Sequence, residues 1–489
     1  MAAASGTLPN AGDLPDPGCH CGRRRLATAP APLLTGDLVI AARDRAREPE
    51  LPAATEAHAL ATPVTSRLAR YDLIIIPGEQ GESERESRIA AEFARHEHRV
   101  FIVGGRRQDQ RPTAPTIERI ALPSPEIGGG DDLPRSLAAL RREKQIEAAM
   151  VLTADRLSRE EARQIRERWG WRIAVPTDAP ELLQAAADVR IAFDADERMA
   201  DAPGIARLPA PLSWPGRWAV LDKAFRAAWP RASVIVLTHD NLAFSRMCIA
   251  SILENTEYPN YELIVIDNAS TDGTVDELRR LARDVPNVRA FFNDRNVGFG
   301  PGNNQGLREA TGEILILLNN DTMVPRGWIT RLARHLEDPA IGLIGPATNR
   351  ACNEAQLDIL YQTYAEYQAV ARDLGERYEG HRFPIRMPMM FCAAMRRDVY
   401  ERVGPLDERY EVGMFEDEDY ALRAKAAGYQ VAWTPEVYVH HAYHASIGKL
   451  LPTGEYMRLV RLNQGRFEEK WGICWERHRP APAAPPTTA

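Results

Sequence analysis

Residues 312–323 read GEILILLNNDTM, an apolar run from Ile314 to Leu318 that stops on Asn319, Asn320 and Asp321. Gly312 precedes it and Pro325 follows, so the run fits a strand buried on both faces of a mainly parallel sheet better than a helix. The carboxyl end of such a strand is where an open α/β sheet places its ligand crevice. Taken alone, the polar trio reads as a turn satisfying its own backbone. The surrounding sequence therefore decides.

Upstream, ASVIVLTHD (232–240) ends on Thr238, His239 and Asp240. YELIVIDNASTDGT (261–274) halts at Asp267, with Asn268, Ser270, Thr271 and Asp272 in the loop beyond. A short strand, VRAFFN, leads to the glycine-containing loop NVGFGPGNNQGL (296–307). Helical stretches, FSRMCIASILENT and VDELRRLARDV, alternate with these strands, which predicts a parallel sheet. Three apolar strands ending in Asp-bearing polar loops put those loops along one sheet edge, the natural place for a nucleotide.

The chain has 489 residues, enough for about three domains. Its 44% hydrophobic and 26% charged residues are ordinary for a soluble globular protein. A net charge of −7 argues against a general electrostatic grip on nucleic acid or anionic lipid. No stretch approaches the roughly 20 apolar residues of a membrane span, and the N-terminus lacks the basic start and apolar core of a secretory signal. Six irregularly spaced cysteines point to free thiols in a reducing cytoplasm. Residues 1–70, rich in Ala and Pro, read as a disordered leader. Residues 71–210 alternate strands (YDLIIIPG, RVFIVGG, Ala149 to Leu152, Arg172 to Val175, Val189 to Ala192) with helices, predicting a smaller doubly wound α/β domain of unassigned role. Its turns lack GxGxxG, and GGRRQ is a weak anion-site signal. Residues 211–230 read as a linker, 231–445 as a second α/β domain, 446–478 as a helical extension and 479–489 as a Pro/Ala tail.

Five blocks in order, VIVLTHDN, YELIVIDNASTDGT, NVGFGPGNNQGL, GEILILLNNDT and GMFEDEDYALRAKAAGYQVAWTPEVYVHH, resemble the inverting nucleotide-sugar glycosyltransferases of family 2, which have the type A fold, a Rossmann-like mixed sheet. Residues 71–210 and RFEEKWG near the end resemble bacterial O-antigen and polysaccharide glycosyltransferases with an extra N-terminal α/β domain.

The resemblance implies roles residue by residue. The apolar run ends where the family has an Asp-any-Asp motif for a divalent cation, Mg²⁺ or Mn²⁺, that bridges the donor diphosphate. Here Asp321 keeps the last carboxylate and Asn319 replaces the first. Thr238, His239, Asp267, Asp272 and Asn320 fall in the nucleotide-sugar pocket, and Asn296, Gly298 and Asn304 in the loop over the nucleotide. Asn296 and Gly298 read equally well as ordinary turn residues. In the acidic run FEDEDY, Asp417 matches the general base, with Glu416 beside it and Asp419 as second choice. Four consecutive carboxylates otherwise suit a solvated helix start, and both readings hold together if Asp417 faces the site and Glu418 faces water. Crowding of like charge would raise at least one pKa, as a base requires. His441 or His440 would complete the metal site beside Asp321. Met387, Met389, Met390, Phe391 and Met395 read as core.

The leading expectation is a hexosyl- or deoxyhexosyltransferase acting, with inversion, on a glycan or lipid-linked glycan in cell-surface polysaccharide biosynthesis. It would work in the cytoplasm, at the inner face of the membrane if the acceptor is lipid-linked, with no nucleic-acid partner. The alternative is a non-catalytic nucleotide- or glycan-binding protein. A nucleotidyltransferase would need a Gly-rich basic loop after the first strand, and THDNLAFSRM supplies none.

Overall fold

A computed structural model of the chain describes residues 24–25, 71–77, 84–96, 98–103, 117–120, 133–153, 157–176, 179, 184–185, 187–193, 205–208, 214–442 and 454–477. The expected leader (except Arg24–Arg25, which pair with Ile473–Cys474), the GGRRQ loop and the Pro/Ala tail lie outside the described residues.

Strands β1 (Asp72–Ile76), β2 (Val100–Val103), β3 (Ile117–Ile120), β4 (Ala149–Thr153), β5 (Arg172–Pro176), β6 (Val189–Phe193) and β7 (Ile205–Leu208) form one sheet. Their order is β3-β2-β1-β4-β5-β6-β7 and every neighbour is parallel. Helices α1 (Glu84–Arg95), α2 (Leu133–Lys144) and α3 (Arg159–Trp169) connect strands. A Ser158/Glu161 capping box starts α3, and Gly170 at φ 68° ends it. The two strands the sequence does not announce, β3 (IERI) and β7 (IARL), are the sheet's edges, where charged residues replace the apolar run. The expected linker is instead a helix, α4 (Trp214–Ala227). Pro215 lies in its first turn, where proline costs no hydrogen bond. Leu221, Phe225 and, just beyond the helix, Trp229 are buried at a spacing of four.

The second sheet contains β8 (Ala232–Thr238), β9 (Tyr261–Asp267), β10 (Val288–Phe292), β11 (Ile314–Asn319), β12 (Thr322–Met323), β13 (Ile341–Thr348), β14 (Phe383–Pro384), β15 (Cys392–Arg396) and β16 (Gln430–His441). Its order is β10-β9-β8-β11-β15-β13-β16-β12, with β14 also on β16. The first four strands are mutually parallel; β15 runs antiparallel to β11 and β13, and β16 parallel to β13. The opening stretch is thus a central strand, as its unbroken apolar run requires. Just before it, a Cβ on Gly312 would lie 2.6 Å from the Arg231 carbonyl oxygen and 2.7 Å from the Ser233 nitrogen, so only glycine fits. Helices α5 (Leu242–Asn255), α6 (Thr274–Asp284), α7 (Phe299–Glu309), α8 (Trp328–Leu336), α9 (Tyr364–Arg377), α10 (Arg397–Val403), α11 (Glu416–Ala426) and α12 (Glu455–Trp471) complete the described chain. None of the described helices is long and apolar enough to cross a membrane.

The two sheets share one apolar cluster, from Tyr71, Phe93 and Met150 through Phe225 and Trp229 to Val234, Val265 and Ile316. Beside it lies an ionic network around α8, in which every residue is buried, Arg331, Arg334 and His335 included. Arg331 donates to Glu147 (2.9 Å), at the amino end of β4, and to the Glu436 carbonyl (3.2 Å). Glu436 also meets His335 (2.9 Å), Arg334 and the Gly380 N–H (3.1 Å). Burial pushes the Glu436 carboxyl up, but the His335 bond and the nearby arginines outweigh it and hold the group at about 2.

Candidate active site

Register alone aligns the polar strand ends: Thr238 faces Asp267 across β8 and β9, and Asn319 faces Leu237 across β11 and β8. Several expected donor contacts are nevertheless turned inward. Asp267 is fully buried, taking the Thr238 hydroxyl on Oδ1 (3.0 Å) and the Ser270 N–H on Oδ2 (2.9 Å). Together with Thr238 it holds the start of the loop. Asp272 is exposed, but it ties helix starts, accepting from Leu242 N (2.8 Å) and Thr274 Oγ1 (2.6 Å). Asn304 is fully buried and bonds the Leu406 backbone at both its carbonyl (2.9 Å) and N–H (2.8 Å). That fixes the segment leading to the acidic run. His239 stays exposed at the rim. Asn268 Nδ2 donates to Asn296 Oδ1 (3.1 Å) and to the Gly298 carbonyl (3.2 Å), with Gly298 at φ 91°.

Asp321 and His441 meet, Oδ1 to Nε2, at 3.4 Å, both buried. The antiparallel pairing of β12 with β16 brings them together, and the His441 ring stacks on Phe391 with centroids 4.8 Å apart. The Asn349 side chain accepts from the His441 N–H at 2.7 Å. Two ligands of one octahedral cation sit about 3 Å apart, so this pair fits a shared divalent ion. Among the described residues no group of three or more His, Cys, Asp or Glu is gathered for a metal. Asn320 is buried and donates to the Ser245 hydroxyl (2.9 Å). His440 points to the opposite face of β16, as strand alternation dictates, and bonds Tyr361. Burial and the neighbouring His441 push its imidazole down to about 4. Its ring packs in a tyrosine cluster with Tyr361 and Tyr367.

The four carboxylates of the acidic run sort by partner. Asp419, fully buried, takes Lys470 (2.6 Å), Arg423 (2.9 Å) and the Trp471 indole (2.9 Å), so the second-choice base is committed to structure. Glu418 does not face water: it is buried against Arg386 and the Trp475 indole (2.7 Å). Glu416 is buried, and its Oε2 has no hydrogen-bond partner among the described residues. Asp417 alone is half-exposed, with only Oδ1 engaged, by the Glu418 N–H at 2.8 Å. Burial, then repulsion from neighbouring carboxylates, raises both Glu416 and Asp417 above the ordinary range.

The turn before α11 is strained. Val412, Gly413, Met414 and Phe415 have φ of 63°, 134°, 76° and 74°; a non-glycine residue there costs about 1–3 kcal/mol. This turn abuts the nucleotide-loop side, since a Cβ on Gly298 would sit 3.8 Å from Val412 N and one on Gly413 3.6 Å from the Phe299 Cβ. Because α11 runs back before β16, its first residues lie at the same sheet edge as His441 and Asn319. Arg396 and Arg397 lie at the opposite edge, donating to carbonyls of Ile341 and Gly312. The sequence assigns no site role to Asn349, to Asn463 or to Trp475; it places Asn268 only in a polar loop and RFEEKWG only in the wider resemblance. Of the described cysteines, Cys248, Cys352 and Cys392 are free, while Cys474 is disulfide-bonded, contrary to free thiols throughout.

A Rossmann-like mixed sheet with polar groups at its carboxyl edge places the second half of the chain among the α/β domains that bind ligands there. Residues 233–404 match the model of glycosyl transferase family 2. The chain is 26% identical over 249 residues to an uncharacterized protein, y4gI, of Sinorhizobium fredii, the match covering 46% of this chain and 26% of that one. It is 26% identical over 269 residues to the O-antigen biosynthesis protein RfbC of Myxococcus xanthus, covering 51% of this chain and 20% of that one. The chain thus spans about a quarter or less of the length of these relatives. A solved mannosyltransferase of Pyrobaculum calidifontis, in complex with GDP-Man and Mn²⁺, is 22% identical over 49% of this chain and 65% of its own, with a TM-score of 0.35.

Proposed function

We propose that the chain is an inverting, metal-dependent glycosyltransferase that moves a sugar from a nucleotide donor to a glycan hydroxyl in cell-surface polysaccharide synthesis. The observation that carries this reading is Asp417: of four clustered carboxylates it alone is both half-exposed and without a hydrogen bond on one oxygen, at the sheet edge that also holds Asp321 and His441. Asp417 takes the proton from the acceptor hydroxyl, whose oxygen attacks the anomeric carbon from the face opposite the leaving diphosphate. That geometry inverts the centre. Burial raises the Glu416 carboxyl, as it does that of Asp417 beside it. Asp321 and His441 would hold Mg²⁺ or Mn²⁺, the imidazole favouring Mn²⁺, and the bound ion would neutralise the diphosphate. The Asn296–Gly298 loop, tied to Asn268, would lie over the nucleotide. A lipid-linked acceptor would be met at the inner face of the membrane.

The test is a screen of UDP-glucose, UDP-N-acetylgalactosamine and GDP-mannose for Mn²⁺-dependent turnover, comparing wild type with Asp417→Asn and Asp321→Ala. Turnover lost in Asp417→Asn with nucleotide binding kept supports the assignment. Full turnover in that variant removes it, and nucleotide binding with no turnover of any donor favours a binding protein instead.

A further inference from the structure

The acidic run and everything after it lie beyond the family match, which ends at residue 404. The last described helix nonetheless reaches into the site. Asn463 is fully buried in α12, and its amide donates to the carbonyls of Glu411 (3.0 Å) and Gly413 (2.8 Å) while accepting from the Glu411 N–H (3.2 Å). Arg466 pairs with Glu411 at 2.7 Å. Phe415, the last residue of the left-handed turn, packs on Phe467 and Trp475, with centroids at 5.6 Å and 5.1 Å. Lys470 and Trp471 occupy Asp419, and Trp475 occupies Glu418.

We infer that residues 455–475 are a positioning element of the active site. Asn463 clamps the strained turn that aims α11, while Lys470 and Trp475 draw Asp419 and Glu418 away from the cleft, leaving Asp417 facing the acceptor. A helix serving stability alone would pack through its apolar stripe. This one spends its buried polar groups on the backbone and carboxylates that flank a single side chain. The inference rests on the reading of Asp417 as the base.

Asn463→Ala, Lys470→Met, Lys470→Arg and Trp475→Phe, made in the full chain, test it through two readouts. Hydrogen exchange at residues 411–416 should quicken in Asn463→Ala while that of β8 is unchanged. With whichever of the three probe donors the wild type turns over, kcat should fall about 10- to 100-fold in Asn463→Ala and Lys470→Met, since a misplacement of about 1 Å is enough for that loss. Donor KM and melting temperature should stay near wild type, and Lys470→Arg should recover most of the rate. Unchanged exchange at 411–416 overturns the inference whatever the turnover. So does faster exchange with undiminished kcat, or a loss of kcat matched by lost donor binding or folding. Wild-type turnover in Asp417→Asn would instead remove the base assignment, leaving exchange to decide whether the helix orders the turn.

Discussion

Asp417 owes its freedom to its neighbours. Glu418 and Asp419 are each tied to a cation and an indole, and Glu416 is buried. Asp417→Asn should lower kcat by about 10²- to 10⁴-fold, the usual loss of a positioned base, in steady-state assays with nucleotide affinity unchanged. Its raised pKa places the acid limb of the rate profile nearer neutrality than an ordinary carboxylate would, with activity falling as pH drops through it. For folding the sign is opposite. A carboxyl whose folded pKa is raised contributes fully below its unfolded value near 4 and loses that contribution as pH rises through the folded value. Glu416→Gln should therefore raise the melting temperature more at pH 9 than at pH 5. His441→Ala should raise the Mn²⁺ concentration for half-maximal rate by at least about tenfold, the lower range for losing even an outer partner. Asp321, Asp417 and His441 were legible as residue types at motif positions. The inward turn of Asp267 and Asn304 was not, because sequence does not say which neighbour wins a carboxylate or an amide.

At the scale of elements, the apolar runs announced β1, β8, β9 and β11 because a strand buried on both faces has no room for polar residues. The antiparallel β15 read only as core methionines, so its direction, which sends Arg396 and Arg397 to the far edge, stayed hidden. Pairing partner and direction are set by long-range contacts that no local pattern carries. The histidine pair shows the same limit, since alternation puts one ring on each face but not which face holds Asp321. Gly312→Ala should destabilise the protein by about 1–3 kcal/mol, read in urea unfolding, because its Cβ meets backbone on both sides of β8's start.

Across the whole molecule, the network around α8 joins the two sheets through the amino end of β4, so the carboxyl edge of the second sheet is left to its own loops. Glu436→Gln, which strips the carboxylate from buried Arg334 and His335, should cost about 3–5 kcal/mol by thermal unfolding. Because the folded pKa of Glu436 is depressed, its contribution is present above the unfolded value and disappears as pH falls toward about 2. The shared apolar cluster predicts one calorimetric transition for both sheets rather than two. This junction was hidden because WITRLARHL looks amphipathic, and its charged side is buried only through contacts with Glu147, the end of α3 and Glu436. The clamp by α12 also sets a clock for biosynthesis. A nascent chain in which both sheets are already paired still lacks Asn463, Lys470 and Trp475, so its base-bearing turn acquires its final shape only after the last strand of the second sheet has left the ribosome.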